Sequence, residues 1–176
     1  MKSFWEVLNE RRSVRDYLPD TDVPPETITK LLSAAIRAPS AGNRQSWHFI
    51  VVREKRIKEA LAHAALGQSF VARAPVVIVV CADPARSAAR YGRRGAELYC
   101  LQETAAATEH ILLAAVAEGL GACWVGAFDE AAAAKALQLP SHLRPVAIIP
   151  IGHPTTRERG PGRRPLAEVV SYIGER

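Results

Sequence analysis

The 176-residue chain lacks several features that would assign its class at once. It has no uncharged apolar run of roughly 18 residues, the length of a membrane-spanning helix, and its first residues include no apolar segment of signal-peptide length. Its three cysteines, Cys81, Cys100 and Cys123, are odd in number and far apart, so they predict no disulfide framework. We therefore expect a cytoplasmic protein with buried thiols and no membrane partner.

Several common catalytic signatures are also missing. The five histidines show no metal-ligand spacing with one another or with the cysteines, so no metal site is expected. Neither a Gly-x-Ser-x-Gly elbow nor a Walker phosphate loop occurs. Gly119-Leu120-Gly121 has the start of a dinucleotide fingerprint, but it lacks the third glycine and follows a predicted helix, which argues against a Rossmann site.

The composition is that of one soluble domain spanning residues 1–176, with 48% hydrophobic and 23% charged residues. A formal net charge of +5 raises the alternative of a basic nucleic-acid-binding or regulatory domain. The arginines, however, concentrate in three short segments: Arg11 to Arg15, Arg86 to Arg94, and Arg157 to Arg164. Such clusters favour one compact phosphate-bearing ligand and no nucleic acid.

Predicted helices alternate with buried strands, which indicates an α+β fold: an α/β/α sandwich with a central mixed sheet. The β-branched run from Pro75 to Cys81 predicts a fully buried strand. Asp83 to Gly95 is expected to be a basic loop, and Trp5, Trp47 and Trp124 are expected in the core. Helices are predicted at 4–10, 25–38, 55–66, 97–118 and 130–136, and further strands at 47–52, 121–127 and 144–152.

The tail from residue 153 is rich in proline, glycine and arginine and contains a short β-like piece, Pro165 to Val170. That piece has no evident place in its own protomer. We therefore expect the tail, residues 153–176, to reach a second copy of the chain, where it adds a strand to the partner's sheet.

Three segments have side chains suited to ligand binding. Arg11-Arg12-Ser13-Val14-Arg15 offers three guanidiniums and a hydroxyl, which suit a phosphate. Residues 38–49 combine small residues with amides that can donate and accept, which suits a flat heterocycle. The third segment consists of residues 119–129. Taken one at a time, an ordinary solvated helix end or loop explains the first two segments equally well or better.

Taken together and in this order, the segments resemble the nitroreductase family of flavoproteins. The resemblance extends to the buried strand after Pro75, to Leu112-Leu113-Ala114-Ala115 near the end of the long helix, and to Ile149-Pro150-Ile151-Gly152-His153-Pro154. It covers nearly the whole chain. It implies a homodimer with FMN bound non-covalently at the subunit interface.

The resemblance also assigns roles by position. Arg11, Ser13 and, in the tail, Arg163 match FMN phosphate contacts, with Arg12 and Arg164 beside them. Arg15 matches the residue that faces the N1/O2 edge of the flavin. Many relatives have a second cation at the position occupied here by Pro161. The residues implied to line the ring are Pro39, Ser40, Asn43 and Gln45 of the partner subunit, and a backbone N–H of Gly126 or Ala127 at flavin N5.

The implied activity is hydride transfer from NAD(P)H through FMN to an electron-poor acceptor, such as a nitroaromatic or a quinone, by a ping-pong scheme. A cationic Arg15 would stabilise the negative charge of the reduced ring near N1/O2. The segment from Arg86 to Arg94 would form a basic rim that attracts anionic substrates, or a solvated loop without a role. Dehalogenation, flavin fragmentation and flavin carriage remain alternatives within the family.

Overall fold

The computed structural model describes residues 2–156, 160 and 162–174, and its centre is a four-stranded antiparallel sheet with strand order β1-β2-β4-β3. The strands are β1 (Trp47–Val52), β2 (Val76–Ala82), β3 (Gly121–Ala122) and β4 (Arg144–Gly152). The α-helices are α1 (Phe4–Glu10), α2 (Pro25–Ala35), α3 (Lys55–Ala64), α4 (Phe70–Arg73), α5 (Pro84–Arg94), α6 (Cys100–Ala117) and α7 (Glu130–Ala136).

Helices cover both faces of the sheet. Alternate residues of β2 face opposite sides, so Val77 and Val79 pack with α3, α4 and α7, whereas Val76, Ile78 and Val80 pack with α2 and α6. Every residue of β2 is buried, as the β-branched run predicts. The predicted α/β/α sandwich is therefore confirmed.

Local capping signals fix two of the helix starts. At α1 the Ser3 hydroxyl accepts from the Glu6 N–H, and the Glu6 carboxylate accepts from the Ser3 N–H, which completes a capping box. At α7 the Asp129 carboxylate accepts from the Ala132 N–H at 2.9 Å. Both caps follow from the sequence.

The strand directions differ from the expected mixed sheet. All pairs between the four strands are antiparallel, and the parallel component in the described residues is one isolated bridge between Ser13 and Ala122. A run of buried β-branched residues records that both faces are covered, but it does not record the direction of the neighbouring strands. The pattern of β2 therefore could not settle this point.

The prediction of a basic loop at residues 83–95 is wrong. Asp83 caps the helix α5 by accepting from the Arg86 N–H at 2.9 Å, and Pro84 occupies its first turn. A kink at Gly92, with φ of 54°, leads into a π-helical turn at Gly95–Tyr99 and then into α6. Because Ser87 is the one residue of α5 that is buried, hydrophobic periodicity could not reveal this helix.

The tail is not a strand in the single chain. Leu166–Glu168 forms a 3₁₀ turn, and the described residues from 162 to 174 are all exposed. A strand needs a neighbouring edge to satisfy its backbone groups, and the described residues from 162 to 174 pair with no strand of this protomer. Exchange of the tail with a partner subunit stays a prediction.

Two of the three tryptophans lie outside the core, against expectation. Trp5 is 71% exposed and stacks edge to face against Phe4, which is 63% exposed. Trp124 is 39% exposed. Trp47 at the start of β1 is half-buried against α2 and α6.

The three cysteines are buried and free, as expected, and burial raises the pKa of the Cys81 thiol to about 12.

Gly121→Ala is expected to lower the melting temperature. A methyl group on Gly121 would lie 2.7 Å from the Cγ atoms of Val14, so β3 and the segment beside it must separate. Overpacking of this kind costs about 1–3 kcal/mol of unfolding free energy. Gly162→Ala is the matched control, because nothing lies within 4 Å of its Cβ position. Equal melting temperatures for the two variants would contradict the close packing of β3 on Val14.

Candidate active site

A polar groove of about 770 Å³ lies between the end of α1, the end of α6 and the start of the tail. Three of the arginines singled out in the sequence line it together, namely Arg11, Arg12 and Arg163. Lys2 also lines it and was not predicted; its ammonium group reaches Glu10 and the Val116 carbonyl. Distant parts of the chain thus bring four cationic side chains to one groove.

Backbone pairing holds the arginine segment in place after α1 ends at Glu10. The Val14 N–H donates to the Ala122 carbonyl at 2.9 Å, next to the bridge between Ser13 and Ala122. This extended pairing turns the Val14 side chain into the core and leaves Ser13 and Arg15 exposed. The alternation therefore explains how one short segment anchors itself and still presents its polar groups.

Arg11 and Arg12, the two groove arginines of this segment, are oriented by different partners. Arg11 Nε lies 3.7 Å from the Glu109 carboxylate of α6. The Arg12 guanidinium donates to the backbone carbonyl of Thr156, and the Cβ of Arg12 lies 3.2 Å from the position of a Cβ on Gly160. The start of the tail therefore packs directly on Arg12.

The other predicted cations lie close by on the tail. Arg163 lines the groove, whereas the Arg164 guanidinium pairs with the Glu168 carboxylate at 3.0 Å and is absent from the groove lining. Pro161, where relatives have a further cation, and residues 157–159 of the third arginine cluster lie outside the described residues.

Arg15 lies on a different side of the segment from the groove. Its guanidinium carbon is 5.9 Å from the ring centroid of Phe70, the first residue of α4. Burial raises the pKa of the Cys123 thiol, and the neighbouring charge of Arg15 and the hydroxyl of Ser13 lower it in part. Arg15 is thus held between an aromatic ring and a buried thiol.

The segment after Cys123 presents free backbone donors close to that position. Gly126 and Ala127 are exposed, and the Ala127 carbonyl accepts from Gln68 Nε2 at 3.3 Å, two residues before Phe70. Within the described residues, the N–H groups of Gly126 and Ala127 donate to no protein acceptor. Such donors are available to a bound ligand.

The loop with Pro39, Ser40, Asn43 and Gln45 has an unusual backbone. Gly42, Asn43 and Gln45 have φ values of 52°, 56° and 51°. Left-handed conformations are uncommon for residues other than glycine, and two of them within three residues indicate a loop shaped by its surroundings. The Gln45 N–H donates to Ser40 Oγ at 3.1 Å, and Gln45 Nε2 donates to Asn43 Oδ1 at 3.2 Å.

Glu103 of α6 holds this loop and was missed in the sequence. Its carboxylate is 4% exposed and accepts from the Ala41 N–H at 2.9 Å, from the Ser46 N–H at 3.2 Å and from the Ser46 hydroxyl. The available signal was its spacing: Glu103 is the one charged residue in the buried stripe of α6, between Cys100 and Ala107.

The loop and the arginine segment do not meet within one protomer. The loop enters β1 at Trp47, which pairs with Ala82 at one end of the sheet, whereas Ser13 bridges to β3, beside Ile151 at the other end. Six residues of β2 separate these ends, roughly 20 Å along the strands. Because β2 and β4 also lie between β1 and β3, the two segments do not form one compact site within a single protomer.

In the described part of the chain, no helix is long and apolar enough to cross a membrane. Nor do those residues contain a group of three or more His, Cys, Asp or Glu side chains that could hold a metal ion.

Known proteins are similar to this chain in sequence and in fold. The family model of the nitroreductase family matches residues 8–69 and 61–153. A protein of Archaeoglobus fulgidus, provisionally named NADH dehydrogenase/NAD(P)H nitroreductase, is 37% identical over 158 residues, which are 88% of this chain and 87% of that protein. The FMN reductase [NAD(P)H] of Bacillus subtilis is 30% identical over 96% of this chain and 73% of its own.

Solved structures of nitroreductase family proteins are similar to this chain in fold. A nitroreductase family protein from Clostridium novyi superposes with a TM-score of 0.79 at 34% identity, covering 88% of this chain and 86% of that one. The fold and the sequence together define an oxidoreductase of the α/β/α sandwich class. The chain belongs to the nitroreductase family.

Proposed function

We propose that the protein is an FMN-dependent oxidoreductase, in which NAD(P)H is the hydride donor and an electron-poor molecule, such as a nitroaromatic or a quinone, is the acceptor. The observation that carries the proposal is the groove in which Arg11, Arg12 and Arg163 converge. The names of relatives, NAD(P)H nitroreductase and FMN reductase, support the donor and the cofactor.

The groove fits a phosphate monoester. Arginine presents a planar fork of donors that matches phosphate oxygens, and three of them converge here from two ends of the chain. Arg11 and Arg12 have partners that orient their guanidiniums, so little freedom is lost on binding. Ser13 follows them in the chain with an exposed hydroxyl but does not line the groove, and the charge of Arg164 is paired with the Glu168 carboxylate.

The proposed ring position lies between Arg15 and the free amides of Gly126 and Ala127. When bound, FMN supplies the atom that accepts and releases hydride. Arg15 places a fixed positive charge at one edge of this position. The Gly126 or Ala127 N–H directs a hydrogen bond toward the other side, and Pro39, Ser40, Asn43 and Gln45 of a partner subunit enclose the remaining face.

A homodimer would complete the site. The separation of the two segments within one protomer supports a second copy, and the exposed apolar surface offers an interface for it. That surface includes Phe4, Trp5 and, on the tail, Leu166, Tyr172 and Ile173, which are each more than 60% exposed. Water contact with so much large apolar surface is unfavourable, so burial against a partner is expected.

The proposed reaction is tested by its two halves. The protein loaded with FMN and mixed with NAD(P)H without oxygen should lose its visible flavin absorption, and a quinone added afterwards should restore it. A protein that is bleached but is not reoxidised by any acceptor would instead support the alternative of a flavin carrier. Steep salt dependence of RNA or DNA binding, without flavin uptake, would support the nucleic-acid alternative.

Mixing two inactive variants should restore activity if the site is shared between subunits. Arg11→Glu disables the phosphate side, and Ser40→Trp blocks the ring side. After subunit exchange at equal amounts, half of the dimers are mixed, and each has one intact site, so about a quarter of the sites should bind FMN. The control is each variant alone, which should bind none. No recovery after verified exchange would contradict a shared site.

A further inference from the structure

One surface of α5 and the following π turn is not used by the proposed function. Its guanidiniums are fixed against aromatic rings. The guanidinium carbon of Arg90 lies 5.6 Å from the ring centroid of Tyr91, and that of Arg94 lies 5.3 Å from the centroid of Tyr99. The two tyrosine rings contact each other edge to face, with centroids 5.2 Å apart. We call these four residues the α5 arginine face.

The charges of this face are not neutralised by the described residues. Nearby, Arg93 pairs with the Glu97 carboxylate at 2.8 Å. By contrast, no carboxylate of the described chain lies within 4.0 Å of a guanidinium nitrogen of Arg90 or Arg94, and the neutral Tyr99 hydroxyl accepts from Arg94 Nε at 3.0 Å. Stacking on a ring orients a guanidinium and leaves its edge donors available.

The face adjoins the loop that we assign to the ring site. A methyl group on Gly42 would lie 2.5 Å from Tyr91 Oη and 3.0 Å from Arg90 Nη1. The loop and α5 are further joined by two reciprocal bonds: Arg44 Nε donates to the Arg86 carbonyl at 3.0 Å, and Arg86 Nε donates to the Arg44 carbonyl at 2.6 Å. The position of Arg90 relative to the loop is therefore fixed.

We propose that the α5 arginine face binds an anionic group, phosphate or carboxylate, of the substrate that reacts at the ring site. This specificity site rests on the proposed function, because the ring site defines which molecule reaches it. Two fixed cations without carboxylate partners beside a binding loop favour a negatively charged substrate over a neutral one of the same shape. The anionic group belongs either to the dinucleotide donor or to the acceptor.

The double variant Arg90→Gln/Arg94→Gln tests the site, with Arg93→Gln as the matched control. The control removes one cation from the same turn, but one that is already paired and 86% exposed. Calorimetric titration of adenosine 2′,5′-bisphosphate into the oxidised protein tests whether the site binds a phosphate of the dinucleotide donor. The kcat/KM for 4-nitrobenzoate, relative to that for the neutral 4-nitrobenzamide, tests whether the site binds the carboxylate of an acceptor.

In the double variant, either the affinity for the bisphosphate or the kcat/KM for 4-nitrobenzoate should fall by roughly tenfold to a hundredfold. The kcat/KM for the neutral 4-nitrobenzamide should be unaffected. Loss of bisphosphate binding assigns the anion to the donor, and loss of nitrobenzoate preference assigns it to the acceptor. Unchanged behaviour in both arms, or the same loss in Arg93→Gln, would overturn the proposal. The calorimetric arm uses no turnover, so a selective loss there in a protein that takes up no flavin would support the anion site and reject the proposed function.

Discussion

Glu103→Gln is expected to destabilise the protein and to weaken FMN binding, although the side chain keeps its shape. One carboxylate oxygen accepts from the Ala41 N–H, and the other accepts from both donors of Ser46. An amide replaces one of these acceptors with a donor, so one end of the loop loses its partner in a buried setting. We expect a loss of about 2 kcal/mol in unfolding free energy, since hydrogen bonds to a charged group contribute about this much.

The effect on FMN should be local to the loop. Hydrogen exchange of the Ala41 and Ser46 amides should accelerate in Glu103→Gln before global unfolding. Glu103→Asp, which keeps both acceptors, should restore part of the affinity. Glu118→Gln removes a carboxylate beyond the exposed end of α6 and is the matched control. Native melting temperature and native FMN affinity in Glu103→Gln would contradict the positioning role.

Arg15→Gln is expected to slow reduction by NAD(P)H by roughly a hundredfold, a typical effect of removing one preorganised electrostatic group. The guanidinium is held by Phe70 and lies beside the Cys123 thiol, so its charge is fixed before the reaction. Glutamine retains a hydrogen-bond donor but loses the charge that stabilises negative charge on the reduced ring. The midpoint potential of bound FMN should therefore fall.

The midpoint potential of bound FMN distinguishes an electrostatic role of Arg15 from a structural one. Arg15→Lys keeps the charge and should keep most of the potential, although it loses the planar fork. Arg37→Gln removes an exposed cation just beyond α2 and should change neither the rate of reduction nor the midpoint potential. A native potential in Arg15→Gln would contradict the placement of Arg15 at the edge of the ring.

Much of the fold follows from short-range signals in the sequence. The burial of β2 and the caps at Ser3 and Asp129 were predictable, because each depends on side chains within a few residues. The helix α5 was not, because Ser87 is its one buried residue and Arg86 contacts the Arg44 carbonyl of a distant loop. Hydrophobic periodicity records contacts with the core and is silent on such polar contacts.

The candidate site was predictable in its residues but not in its arrangement. The pattern from Arg11 to Arg15 indicates a phosphate site, and the structure brings Arg163 to the same groove. The distance between Ser13 and the loop at Ser40, however, depends on the strand order β1-β2-β4-β3, which no local pattern encodes. The role of Glu103 likewise became evident only when α6 was seen to lie beneath the loop.

The central claim is that this chain binds FMN in the arginine groove and passes electrons through it. The most direct measurement is the visible spectrum of the purified protein, reconstituted with FMN and then mixed with NAD(P)H without oxygen. Bound flavin should absorb near ~450 nm, and that absorption should disappear on addition of the donor. A protein that takes up no FMN, or whose bound flavin is not reduced by either dinucleotide, would contradict the account.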